Sequence, residues 1–165
     1  MSYYIAMPLL LLAALCEVAV APMFRVSGLQ PNLVLVMLTA WMITRGQSEA
    51  FVLIPIGGFL LGLVDGAPLG TAIIAMAPLA LLQDVRGSQL REGGLALAII
   101  FIVIMTVVYH LVYLMMFTLR GESASWLQAM TRVVIPTVLI NAVTLVPCYW
   151  VFSLFSQDLR RPGYA

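Results

Sequence analysis

The chain has 165 residues, 63% of them hydrophobic and 9% charged, with a formal net charge of +1. A soluble domain is about 45–50% apolar and about 25% charged, so water cannot be the solvent for most of this surface. The near-neutral balance excludes a broad basic field for nucleic acid. All eight positive residues are arginines, which excludes a lysine Schiff base or a phosphate-loop lysine.

Six apolar stretches can be parsed between polar or turn-forming breaks, over residues 3–24, 32–44, 49–64, 68–83, 95–119 and 126–155. They predict an all-α fold, a bundle of about six transmembrane helices forming a single integral membrane domain over 1–165. Alternating strand patterns are absent, which argues against a barrel. The first stretch resembles a signal peptide around Ala19-Val20-Ala21, but no basic residue precedes it and Pro22 would follow the cut, so it reads as a retained helix. Cys16 and Cys148 sit in apolar runs without CxxC spacing and read as small apolar residues.

In the third stretch and the turn after it, Gly58, Gly62, Gly66 and Gly70 recur every fourth residue. Two glycines on one helix face lower it to bare backbone and admit another helix closely. Asp65 ends that helix nearly on the same face, and Pro68 opens the next. The spacing predicts a tight helix–turn–helix that either packs internally or docks a partner. The fourth stretch, like the second and third, is short for a full span. The following loop, 84–94, mixes Asp84, Arg86, Arg91 and Glu92 and reads as solvated.

Three polar side chains fall deep within spans: Glu17 in the first, His110 in the fifth and Asn141 in the sixth. A charge at mid-membrane costs on the order of 2.5 kcal/mol or more, so each needs a partner or a purpose. Glu17 and His110 lie at similar depth on helices running the same way, so a contact between them is allowed. It reads either as a proton-linked or ligand site or as a packing hydrogen bond. Asn141 reads as a helix tie, and the flanking Pro136 and Pro147 are expected to kink the helix. With the amino terminus inside, Arg45, Arg86, Arg91, Arg160 and Arg161 face the cytoplasm, against Arg25, Arg120 and Arg132 outside. This bias predicts a multi-pass membrane protein with both termini cytoplasmic.

No GxSxG, HExxH, phosphate loop or acidic pair is present, so the sequence offers no enzyme signature, and one histidine with scattered acids does not build a metal site. No cofactor is expected.

The chain resembles the rod shape-determining MreD family. The likeness rests on Pro31-Asn32 leading into the second span and on the run from Gly58 through Gly62 to Asp65, followed by Gly66, Leu69 and Gly70. It rests also on Asn141, Pro147 and the basic tail Arg160-Arg161. Asp65 and Gly66 are adjacent here, where the family commonly has a few residues between them. The resemblance implies a non-enzymatic scaffold of the cell-elongation machinery that binds MreC, a single-span protein, and helps couple MreB filaments to the peptidoglycan synthases, RodA and its penicillin-binding partner. It implies the glycine run and Pro31-Asn32 as partner or packing positions, leaves a homo-oligomer open, and suggests a fold similar to the substrate-binding component of energy-coupling-factor transporters. The alternative function is such a vitamin-binding subunit, for which Glu17, His110 and Asn141 are the deep polar candidates.

Overall fold

The computed structural model describes residues 3–25, 28–45, 50–64, 70–81, 87–121 and 125–157. These form α1 (Tyr3–Ala19), a 3-10 turn (Ala21–Phe24), α2 (Leu33–Arg45), α3 (Ala50–Val64), α4 (Thr71–Met76) and α5 (Pro78–Leu81). They continue with α6 (Gly87–Leu119), α7 (Trp126–Ala129), a π turn (Met130–Val134) and α8 (Ile135–Gln157). No β-strand occurs among the described residues.

The organising element is α2, which packs against α1, α3, α6 and α8. Every residue from Val34 to Ile43 is buried. So apolar a stretch suits that place, and its one buried polar side chain, Thr39, donates its hydroxyl to the Leu35 carbonyl at 2.8 Å. Trp41 anchors it, meeting Phe152 of α8 edge-on with ring centroids 5.6 Å apart. Outward faces of α1, α6 and α8 remain apolar and uncovered, with Leu11, Leu15, Ile104, Leu139, Val143 and Trp150 all exposed. So much bare hydrocarbon surface matches a lipid environment.

Two helical stretches, Gly94–Leu119 and Trp126–Leu154, are long and apolar enough to cross a bilayer, and four shorter apolar ones accompany them. Several boundaries differ from the sequence expectation. Within the stretch 68–83 the described residues form α4 and α5, divided at Ala77. Ala77 itself keeps helical geometry (φ −54°, ψ −36°), and the ladder is interrupted because Pro78 has no N–H to donate to the preceding turn. The loop expected over 84–94 is helical from Gly87, then breaks at Gly94, whose backbone (φ 53°, ψ −139°) is far from helical. Near Pro136, the expected disturbance takes the form of the π turn. Proline supplies no N–H and crowds the carbonyl four residues earlier, here that of Arg132, and a wider turn accommodates both.

Candidate functional site

The deep polar residues converge on the amino terminus of α2. A helix that starts inside an apolar bundle presents amide donors with no water to meet them. Asn32 caps the helix, its Oδ1 accepting from the Leu35 N–H at 2.8 Å while its carbonyl accepts from Val36 at 3.0 Å. The Glu17 carboxylate of α1 accepts from the Val34 N–H at 3.1 Å. A carboxylate there is favoured by both the charge-assisted bond and the helix dipole. From α8, Asn141 Oδ1 accepts from the Asn32 N–H at 2.9 Å, and its Nδ2 donates to Thr106 Oγ1 of α6 at 3.0 Å. Asn141 and Thr106 are wholly buried, Glu17 and Asn32 nearly so. One junction thus fastens α1, α2, α6 and α8.

Glu17 and His110 do not pair as their depths allowed. α2 packs against both of their helices and takes the carboxylate at its own amino terminus. His110 Nδ1 donates instead to the Thr106 carbonyl one turn earlier, at 2.8 Å, since a carbonyl only accepts. The ring lies edge-on to Tyr109, with centroids 5.5 Å apart. Thr106, at the far end of the junction, was not singled out by sequence. A buried threonine in an apolar helix looks ordinary until its cross-helix partner is known.

The glycine run serves close approach inside the bundle, with unequal demands. A Cβ on Gly58 would stand 2.7 Å from the Ile73 Cα and 3.0 Å from its nitrogen, so α3 and α4 touch backbone to backbone there. At Gly62 the nearest atom would be the Ala72 Cβ at 3.8 Å, an ordinary contact. Gly57, outside the every-fourth pattern, faces α2, where a Cβ would meet Leu38 Cδ1 at 2.8 Å. Gly70 takes the left-handed conformation (φ 100°) at the start of α4, a place suited to glycine. Pro31 is buried beside Asn32. Asp65, Gly66, Leu69, Arg160 and Arg161 lie outside the described residues.

Bare apolar faces around a buried polar junction define a helical membrane protein, with Glu17, Asn32, Thr106 and Asn141 engaged in joining its own helices. The family model for the rod shape-determining protein MreD matches residues 1–159. The chain belongs to the MreD family, and with it to the rod-shape-determining system. No curated protein and no solved structure gives a significant match.

Proposed function

We propose that this protein is a non-catalytic, multi-pass membrane scaffold of the cell-elongation machinery. In this reading both termini face the cytoplasm, and the scaffold holds the single-span protein MreC and through it helps link MreB filaments to RodA and its penicillin-binding partner. The observation that carries the proposal is the family match over residues 1–159. The buried junction supports it: Glu17 and Asn141 hold backbone and side-chain partners of α2 and α6. That leaves them poorly placed for a hydrophilic vitamin, the main need of the transporter-subunit alternative. The glycine run contributes indirectly, since Gly58 is filled by α4 and sets the shape offered to a partner.

The test is depletion and complementation in a rod-shaped host, with co-purification of MreC. Depletion is expected to turn rods into spheres, restored by the wild-type chain. Gly62→Leu is expected to strain the α3–α4 pairing and reduce MreC recovery. Normal shape on depletion, or a tightly held water-soluble vitamin in the purified protein, overturns the reading.

A further inference from the structure

A second feature lies apart from the junction. A cavity of about 300 Å³, open on one side, sits between the last third of α6 and the π turn. Tyr109, His110, Tyr113 and Phe117 line it along α6, and Val133 and Val134 close it from the π turn. The aromatic rings form a ladder, with centroids 4.7 Å apart from Tyr109 to Tyr113 and 6.5 Å from Tyr113 to Phe117. The His110 Nδ1 proton is taken by the Thr106 carbonyl, and the wall is mainly apolar. From Tyr109 to Phe117 it runs about 12 Å along the helix, a slot shaped for a chain rather than a compact polar ligand.

Two cations neighbour the lining residues of this slot. Arg120 lies one turn beyond Phe117 and Arg132 adjoins Val133, both exposed. With Glu122 the segment 117–133 carries a net charge of +1. The π turn that carries Arg132 also supplies Val133 and Val134 to the cavity wall, and such turns recur at functional sites. We infer that the slot holds one acyl chain of an anionic phospholipid drawn from the bilayer, its phosphate resting on Arg120 and Arg132. The apolar ladder takes the hydrocarbon while the two guanidinium groups, on residues next to the lining, select the headgroup.

The full chain, reconstituted in nanodiscs of phosphatidylglycerol or phosphatidylcholine with a trace of the same lipid bearing a diazirine on its acyl chain, provides the test. After photolysis, labelled peptides are mapped. Label is expected to concentrate on 109–117 and 129–134 above the outer face of α8, with a roughly tenfold preference for phosphatidylglycerol from the two arginines. Val133→Trp, which fills the slot, is expected to lower that label to the level of the α8 face. R120Q combined with R132Q is expected to keep the label but remove the headgroup preference. Label spread evenly over the lipid-facing helices, or unchanged by Val133→Trp in protein eluting like wild type, overturns the inference. So does label blind to headgroup. Should Val133→Trp fail to fold, Ala129→Leu at the same wall decides by the same comparison.

Discussion

α2 and α8 are both almost wholly apolar, yet they occupy opposite settings. Every residue from Val34 to Ile43 on α2 is buried, whereas α8 exposes Ile135, Leu139, Val143, Val146, Trp150 and Leu154 along one stripe. Hydropathy does not separate the two, because lipid is as apolar as a protein core and gives helices no hydrophobic reason to associate. What distinguishes them is close packing and the few polar bonds. α2 begins at the junction and meets four helices; α8 gives the bundle one face with Asn141 on it.

Substitutions on the two helices break or sharpen this contrast. The largest effect is expected at Trp41, 1% exposed: Trp41→Ala should cost about 3 kcal/mol through lost packing and the cavity left behind. Trp150→Ala, 64% exposed on α8, should be near neutral. Unfolding titrations in mixed micelles compare them, and equal losses would erase the distinction. Next comes Gly58→Ala, expected to cost about 2 kcal/mol because the new methyl meets backbone that cannot rotate away. Gly62→Ala should change stability by about 0.5 kcal/mol or less, given the 3.8 Å it has to the Ala72 Cβ. The same titration reads this pair. Asn141→Leu should cost about 1 kcal/mol, since it leaves the Asn32 N–H and the Thr106 hydroxyl without this partner. Faster hydrogen exchange at Asn32, with Trp41 packing intact by fluorescence, would locate the loss in the junction.

The all-helical character and the places of most helices were legible because apolar runs and turn residues are local signals. Glu17 and Asn141 stood out for their cost in hydrocarbon. Their partners did not, since a backbone amide such as Val34 N–H has no sequence signature and Thr106 resembles any helical threonine. The Glu17–His110 contact that the sequence allowed rested on depth along two helices and not on their arrangement around α2. The every-fourth glycine spacing found Gly58, which is needed, but passed over Gly57, because the face a glycine turns depends on a neighbour far along the chain. The helical start at Gly87 was obscured by the charges at Asp84, Arg86, Arg91 and Glu92, which read as a loop.

The torsion at Gly94 bears on how the long sixth helix fits its surroundings. As one straight rod, residues 87–119 would extend about 50 Å, well beyond the roughly 30 Å of hydrocarbon in a bilayer. Nothing lies within 4 Å of where a Cβ would project from Gly94, so glycine is required there by backbone geometry alone and not by crowding. That joint divides a foot of seven residues from an upright of twenty-six. A single methyl at this position disfavours that torsion and would press the two pieces toward one axis, making a rod longer than the hydrocarbon is thick.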